Sequence, residues 1–403
     1  MKADKRFLQG ALFGALIMLF IGMAGIFLPN LFVHALGNDE LKNKIQEAEQ
    51  VSEKKLKKIQ DMMSQYYLYS DDIEEEQLED AIYTGFVSAM EDPYTVYYDQ
   101  EATKQLLEST TGEYTGIGAA MVQNLETKEI IITTVYKDSP AEKAGLQEGD
   151  ILYQVDEQVV GENDTSEVVS WVKGEVGTEV VLHVYRGDKY EEKTLTAVRD
   201  VIERQTVDYV MKENNTGYIY VSEFDKVTYD QFEKALTDLE NQGLESLVID
   251  LRNNPGGNLD IVVEMLRLLL PKGEVVSIQD KYGNKQVYEC DGKHQFQKPL
   301  AVLVNGYSAS ASEIFAGAIK DYNLGTIVGT TTYGKGIVQE LFNLGDGTMI
   351  KITTAEYFTP NGENIHGKGI EPDISIEYEY DENQPEGDSQ LNKALEVVRE
   401  SGT

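Results

Sequence analysis

The chain has 403 residues, which is longer than one compact domain usually grows, so two or three folded units are expected. Its 70 acidic residues outnumber the 35 Lys and Arg residues, and the net charge of −35 argues against nucleic acid as a partner. Hydrophobic residues make up 41% and charged residues 26% of the chain, which excludes global disorder and a polytopic membrane protein. The single cysteine, Cys290, excludes an intramolecular disulfide and is predicted to be a small buried side chain.

An uncharged hydrophobic run, Phe7–Leu28, follows the basic residues at the start of the chain. At about 1.5 Å per residue, a helix of this length crosses a hydrocarbon core of about 30 Å. Positive residues stay on the cytoplasmic side, so everything after residue 36 is expected outside the membrane. Val33 and Ala35 also fit a signal-peptidase site, but the run is longer than a cleaved signal usually has, so an uncleaved anchor is favoured.

Two helices are predicted after the anchor, followed by a region of short strands. Residues 38–69 lack Gly and Pro and place apolar residues at helical spacing, and a second helix is predicted from about Glu74 to Met90. From about Thr103 to Asp200, short β-rich runs are punctuated by Gly. Within them, Asp138–Leu146 begins with capping residues, has a Pro near its first helical position and ends on Gly and Leu, which predicts a short helix.

The sequence SPAEKAGLQEGDIL of residues 139–152, with a second predicted helix at Thr165–Lys173, resembles a PDZ domain. The resemblance extends over nearly the whole region. It implies a loop whose backbone N–H groups bind the terminal carboxylate of a peptide, formed by Gly116, Ile117, Gly118 and Ala119.

In such a domain the strand Ala120–Asn124 pairs with the incoming peptide as an added strand. Three valines of the second helix are then predicted to line the peptide groove: Val168, Val169 and Val172. The alternative is that these valines belong only to the hydrophobic core, and helical spacing does not separate the two interpretations.

From about Val201 to Ile376 the pattern is α/β. Compact apolar runs predict strands at Gly217–Val221, Ser246–Leu251, Ala301–Val304 and Thr326–Val328. They alternate with predicted helices at Thr228–Gln242, Leu259–Leu270 and Ala311–Tyr322. A further short amphipathic helix is predicted at Leu391–Val398.

Two segments of this region carry candidate catalytic side chains. Asn305–Glu313 contains three serines after a buried strand and opens a helix, with Ser310 and Glu313 in the spacing of a capping box. Downstream, Gly329–Gln339 places Lys335 in a Gly-flanked stretch that is predicted to be β-like, so that Lys335 and Gln339 would face the same side of a strand. This stretch also fits the start of a phosphate-binding loop, but Gly336 stands where the magnesium-binding Ser or Thr belongs, so that interpretation is rejected.

Together with Asp250–Gly257 (DLRNNPGG), these segments resemble the carboxyl-terminal processing peptidases over roughly residues 50–376. The resemblance implies an α/β core related to the crotonase fold. It also implies that Ser310 is the nucleophile, Lys335 the general base and Gln339 the residue that orients the lysine. One departure is Tyr307, which stands where family members often carry Gly and would narrow the approach to Ser310.

The residue types suit this chemistry. A serine hydroxyl becomes a good nucleophile when a neutral amine takes its proton, so the pKa of Lys335 must be lowered from about 10.4 by burial. An uncharged amide such as Gln339 holds the amine without stabilising its charged form. Because Ser310 lies at a helix start, the Ala311 N–H is predicted to donate a hydrogen bond to an oxyanion. Gly256 or Gly257 is predicted to supply the second donor.

A histidine base is the competing mechanism. His366, in the loop Gly362–Gly369, is the candidate, whereas His183 and His294 are predicted to be surface or packing residues. The sequence shows no clustered His or Cys residues and no HExxH motif, so neither a metal nor another cofactor is expected.

The sequence thus predicts a multidomain, membrane-anchored serine endopeptidase that recognises the C-terminal tails of proteins, with most of the chain on the extracytoplasmic side. Its expected partners are substrates with exposed apolar C-termini and, through the N-terminal helix, the membrane. Residues 38–90 and the C-terminal helix are candidates for a homodimer interface. The alternative function is a non-catalytic PDZ-type tethering protein.

The sequence divides into five predicted regions. They are an anchor or signal (1–36), a helical region (37–103), a PDZ-like domain (104–200), a peptidase domain (201–376) and an acidic tail with a short helix (377–403).

Overall fold

The computed structural model describes residues 39–69, 75–161, 163–379 and 387–401. The chain divides into two compact units, Met1–Ala81 and Ile82–Thr403. Both predicted N-terminal helices are confirmed, as α1 (Asp39–Tyr66) and α2 (Glu75–Ser88). The hydrophobic run predicted to cross the membrane lies outside the described residues. None of the described helices is both long and apolar enough to span a bilayer.

The PDZ-like region is built on one antiparallel sheet in the strand order β3-β4-β5-β7-β8, with β6 paired to β5. Ile130, Leu152 and Leu182, on three of its strands, are at most 2% exposed and form its core. From Val96 to Glu203 the elements are β1 (Val96–Tyr98), α3 (Gln100–Thr111), β2 (Glu113–Gly116), β3 (Ala119–Gln123), β4 (Ile130–Val135), α4 (Pro140–Ala144), β5 (Ile151–Val155), β6 (Gln158–Val159), α5 (Thr165–Val172), β7 (Glu179–Arg186), β8 (Glu191–Val198) and β9 (Asp200–Glu203).

The short helix α4 confirms the prediction made from its capping residues. The Ser139 side chain accepts a hydrogen bond from the Glu142 N–H, Pro140 opens the helix, and Gly145 ends it in the left-handed conformation at φ 85°. Strands β2 and β9 pair with each other, so the chain enters and leaves this sheet through one two-stranded ribbon. Helix α3 runs across the domain boundary predicted at residue 103.

The peptidase region contains a second, mostly parallel sheet in the order β10-β11-β12-β15-β16-β19, in which only β10 is antiparallel to its neighbour. Every residue of β12 and β15 is buried, as expected of strands covered on both faces. From Val207 to Ser401 the elements are β10 (Val207–Lys212), β11 (Thr216–Val221), α6 (Thr228–Asn241), β12 (Ser246–Asp250), α7 (Leu259–Arg267), β13 (Gly273–Asp280), β14 (Lys285–Cys290), β15 (Leu300–Val304), α8 (Ala311–Asp321), β16 (Thr326–Gly329), β17 (Ile337–Asn343), β18 (Met349–Phe358), β19 (Ile374–Ser375) and α9 (Ser389–Ser401).

Alternate residues of the central strands pack against different helices. Leu247 and Ile249 of β12 belong to the cluster that contains the apolar faces of α6, α7 and α8. Val248, between them, packs with Ala394 and Val398 of α9 on the opposite face. This two-residue alternation places α6, α7 and α8 on one side of the sheet and α9 on the other.

The predicted C-terminal helix is confirmed, because Leu391–Val398 lies within α9 (Ser389–Ser401). Its Ala394 and Val398 are at most 1% exposed because they cover the parallel sheet. This apolar face is not available for the predicted dimer interface. Arg252, after β12, bonds to Asp388 and Gln390 and holds the start of α9 in place.

A third sheet lies beside these helices and carries residues of the candidate site. It has the order β1-β18-β13-β14, with β17 also paired to β18, and all its pairings are antiparallel. The sequence analysis predicted β17 but not β13, β14 or β18. Strand β13 contacts both α7 and α8, which places this sheet next to the helix that begins at Ser310.

Candidate active site

The three serines before α8 have different surroundings. Ser308 and Ser312 are both fully buried, and their hydroxyls donate to the backbone carbonyls of Leu251 at 2.7 Å and Asn254 at 2.9 Å. Ser310 is half-buried, and its hydroxyl donates no hydrogen bond to any of the described residues. Of the three hydroxyls, that of Ser310 is free to react.

Ser310 has an unusual backbone conformation, with φ 53° and ψ −112°. A positive φ is uncommon for any residue other than glycine and is found where the surrounding structure enforces it. Here Ser310 lies at the sharp connection between β15 and α8. The Ala311 N–H, the first of the helix, has no acceptor in the described part of the chain, so it is available to an oxyanion.

The turn Asn253–Gly257 packs directly against Ser310. A Cβ on Gly256 would lie 2.6 Å from the Ala309 carbonyl oxygen and 2.8 Å from the Ser310 Cβ, and Gly256 has φ 103°. Only glycine allows this approach.

The turn also distinguishes the two predicted oxyanion donors. The Gly256 N–H already donates to Asn254 Oδ1 at 2.8 Å, whereas the Gly257 N–H has no acceptor among the described residues. The structure therefore favours Gly257 over Gly256 as the second donor.

Lys335 lies in an irregular segment between β16 and β17, so the predicted strand placement is wrong for this residue. Strand β17 begins at Ile337, with a register shift between Val338 and Gln339, and strand alternation does not relate Lys335 to Gln339. The Lys335 side chain is half-buried. Burial lowers its pKa and the nearby charge of Lys351 adds to this effect, against smaller opposing contributions from two carboxylates.

The ammonium group of Lys335 lies 4.7 Å from the centroid of the Tyr94 ring. The Gln339 amide donates to the Thr353 hydroxyl at 3.3 Å. In the part of the chain that the structure describes, Lys335 Nζ is hydrogen-bonded neither to Ser310 Oγ nor to Gln339. The three predicted residues thus lie in one region, and the lysine must reorient to reach the serine. Catalytic hydrogen bonds often form only when substrate is bound.

Three residues of the site were not identified from the sequence as part of it. Tyr94 contacts Lys335, and Asp92, two residues earlier, is one of the carboxylates that raise the lysine pKa. Glu313, predicted only to cap α8, also binds the Lys335 segment. No local signal marks Asp92 or Tyr94, because they approach Lys335 from a distant part of the chain.

Neither His366 nor His183 is hydrogen-bonded to Ser310 in the described part of the chain. The His366 side chain is exposed, although its backbone packs against Gly336. His183 lies on β7, and its Nδ1 is 3.2 Å from the Thr194 hydroxyl. The described residues contain no group of three or more His, Cys, Asp or Glu side chains that could hold a metal ion.

The predicted peptide groove of the PDZ-like region requires a correction. Val168 and Val172 are 0% and 4% exposed and belong to the domain core, since residues four apart on α5 face the same way. Val169 is half-buried and remains the candidate groove residue.

The four residues of the predicted carboxylate-binding loop have different surroundings. Ile117 is a core residue, and Gly118 has φ 77° with Ser139 against it. Gly116 ends β2 and Ala119 begins β3. Strand β3 is at the edge of its sheet, as an added peptide strand requires.

Comparisons with known proteins agree with these features. The model of peptidase family S41 matches residues 215–376. This part of the chain belongs to peptidase family S41. A PDZ domain model matches residues 131–186, and a model of the N-terminal domain of the activating protease CtpB matches residues 19–102. The expected family and a multidomain organisation with a PDZ domain and a peptidase core are confirmed.

The chain is also similar to individual proteins. A CtpA-like serine protease of Staphylococcus epidermidis is 40% identical over 295 residues, which are 72% of this chain and 59% of that protein. The chain thus spans about three fifths of the length of this relative. The photosystem II D1 C-terminal processing protease is 29% identical, with a TM-score of 0.46 over 84% of this chain and 89% of that one. An S41 protein of Bacteroides fragilis shares the fold, with a TM-score of 0.50 and 17% identity over 85% of this chain and 96% of its own.

Proposed function

We propose that this chain is a serine endopeptidase of the carboxyl-terminal processing type, with Ser310 and Lys335 as its catalytic dyad. One observation carries the proposal: a free serine hydroxyl at a strained helix start lies in the same region as a lysine whose pKa is lowered by burial. The lowered pKa increases the fraction of neutral amine that can accept the serine proton.

In the proposed reaction Lys335 leaves the Tyr94 ring, and its neutral amine accepts the proton of Ser310 as the hydroxyl attacks the peptide carbonyl. The N–H groups of Ala311 and Gly257 stabilise the resulting oxyanion. The protonated lysine then gives its proton to the leaving amine, and water hydrolyses the acyl-enzyme. Gln339 holds the amine during the reaction without adding a negative charge.

The test of this function is peptide hydrolysis by matched variants, with an unstructured protein as substrate. Ser310→Ala and Lys335→Ala should each lower kcat by a factor on the order of 10³ or more, because nucleophile and base act as a unit. Ser308→Ala and the exposed Lys368→Ala are the controls and should keep most of the activity. Full activity of Ser310→Ala in a folded protein would refute the proposal. Loss of activity in His366→Ala would instead favour the histidine mechanism.

We further propose that the PDZ-like domain selects substrates by their C-terminal tails. The open edge of β3, next to Gly116–Ala119, supports this proposal. A peptide with a free apolar terminus should be cleaved about ten-fold more efficiently than the same peptide amidated, because charge-assisted hydrogen bonds to the carboxylate are lost. Val169→Asp should reduce this preference, whereas the exposed Ser170→Asp should not. Equal rates for both peptides would rule out carboxylate recognition.

Membrane anchoring through Phe7–Leu28, with the rest of the chain extracytoplasmic, is also proposed from the sequence. The full chain should remain in the membrane pellet after alkaline extraction, and a chain without residues 1–36 should not. Release of the full chain would contradict the anchor.

For assembly, we propose a homodimer through residues 38–90, supported by the exposed Leu56, Ile59 and Met63 of α1. Sedimentation of the chain without α1 would show whether this helix is needed.

A further inference from the structure

One buried carboxylate connects the segment of the nucleophile with the segment of the base. Glu313, in the first turn of α8, is 0% exposed. Its Oε1 accepts hydrogen bonds from the Thr332 hydroxyl at 2.6 Å and the Gly334 N–H at 2.7 Å. Its Oε2 accepts from the Ser310 N–H at 2.9 Å and the Lys335 N–H at 2.8 Å.

Helix capping explains only one of these four bonds. In a capping box the third helical residue bonds back to the N-cap backbone, which is the contact between Glu313 and the Ser310 N–H. The other three donors belong to residues 332–335, a separate segment that follows β16. A buried carboxylate needs such donors, and here both oxygens have two.

We propose that Glu313 is a positioning residue that holds the backbones of Ser310 and Lys335 in a fixed relation and sets the charge around the lysine. This role rests on the proposed Ser310 and Lys335 dyad. Glu313 acts through its neighbours: all four hydrogen bonds that it accepts come from residues of this chain.

The charge of Glu313 acts on Lys335 together with other groups around it. Burial and the charge of Lys351, on β18, lower the lysine pKa, whereas Asp92 and Glu313 raise it. The ring face of Tyr94 also contacts the Lys335 ammonium group. Tyr357, also on β18, donates to the Ser310 carbonyl and is neutral, because burial raises its pKa well above the ordinary value. Glu313 and Asp92 therefore favour the ammonium form that burial and Lys351 disfavour.

Two substitutions separate the geometric effect from the electrostatic one. Glu313→Gln keeps the shape of the side chain and removes its charge. Its NH₂ group also replaces an oxygen that accepts from two N–H or O–H donors, so those two hydrogen bonds are lost. Its kcat should fall about 10²-fold with KM nearly unchanged, since small displacements of catalytic groups have effects of this size. The acid limb of its pH profile should move to lower pH, because the ammonium form of Lys335 loses a stabilising charge. Glu313→Asp keeps the charge but is too short, so kcat should fall without a shift of the acid limb.

The control is Asp99→Ala, which removes the N-cap bond of α3 and should change stability but neither kcat nor the pH profile. If Glu313→Gln does not fold, Thr332→Val removes one of the four donors and should lower kcat about ten-fold, and Thr332→Ser should restore it. Wild-type kcat and an unmoved acid limb in Glu313→Gln, or wild-type kcat in Thr332→Val, would overturn the proposal.

The same assay distinguishes this failure from failure of the proposed function. If Ser310→Ala is inactive and Glu313→Gln is unchanged, the dyad stands and only the role of Glu313 is wrong. If Ser310→Ala is as active as the wild type, the dyad is wrong and the proposal for Glu313 fails with it.

Discussion

The ammonium group of Lys335 lies over the ring of Tyr94, 4.7 Å from its centroid. The Tyr94 hydroxyl in turn lies 3.5 Å from the hydroxyl of Tyr333, and this contact with burial raises the pKa of Tyr94 to about 12. The attraction between a cation and an aromatic face favours the charged lysine in a position where it is not bonded to Ser310. The Tyr94 contact thus opposes the effect of burial, which lowers the pKa of Lys335.

Tyr94→Leu should therefore raise the peptidase rate near neutral pH. Loss of a cation–π interaction of about 1 kcal/mol lowers the pKa of Lys335 and increases its neutral fraction roughly five-fold. Tyr94→Phe keeps the ring face and serves as the control, with a rate near that of the wild type. Initial rates measured between pH 6 and pH 9 check this, and a slower Tyr94→Leu enzyme would mean that Tyr94 assists the reaction.

Lys351→Gln should have the opposite effect on the pH profile. Lys351 carries a like charge that lowers the pKa of Lys335, so its removal raises that pKa. The proposed reaction needs the neutral amine of Lys335, and the acid limb of kcat should therefore move to higher pH. The control is the exposed Lys368→Gln, which removes the same charge elsewhere on the domain. An acid limb that moves equally in both variants would indicate only an effect of net charge.

Gly256→Ala should abolish most of the activity. The new Cβ would overlap the Ala309 carbonyl oxygen and the Ser310 Cβ, so the proposed nucleophile must shift, with an expected loss in kcat of about 10²-fold. Gly243→Ala is the matched control: Gly243 also has a positive φ, at 90°, but no atom lies within 4 Å of its added Cβ. It should cost about 1 kcal/mol of stability and leave kcat unchanged. Similar losses of kcat in both variants would refute the steric explanation.

Arg252→Leu should destabilise the peptidase domain by about 3–5 kcal/mol. It removes the partner of Asp250, which is 1% exposed, and the link to Asp388 at the start of α9. Lys393→Ala, which breaks an exposed pair on the same helix, should cost less than about 1 kcal/mol. Urea unfolding of both variants measures the difference, and equal midpoints would show that Arg252 does not anchor α9.

The ion pair between Arg252 and Asp388 also predicts how the stability of the protein changes in acid. Burial raises the pKa of Asp388, but the hydrogen bond and charge of Arg252, together with the backbone N–H groups of Leu391 and Gln390, hold it below its ordinary value. The stabilisation is thus complete above about pH 4 and is lost as the pH falls through the lowered pKa. Arg252→Leu should lose less stability than the wild type over this range.

The strands of the parallel sheet and the capped helix α4 could be predicted because their signals are local. Strands β12 and β15 are continuous apolar runs, and α4 carries Ser139 at its start and Gly145 at its end. Strand β18 could not be predicted in the same way. Most of its residues are half-buried, with no clear alternation, so its pairing depends on the neighbouring strands β1, β13 and β17.

The sequence by itself determined the order of the motifs and the family, and it predicts Ser310 and Lys335 as the catalytic pair, because these inferences depend on residue types at short spacings. The tertiary structure decided which groups surround them. It placed Tyr94 on Lys335, bonded Glu313 to the segment of Lys335 and buried Val168 in the core. The first two contacts join residues that are distant in the chain, and the burial of all these groups exists only once the sheets and helices have packed.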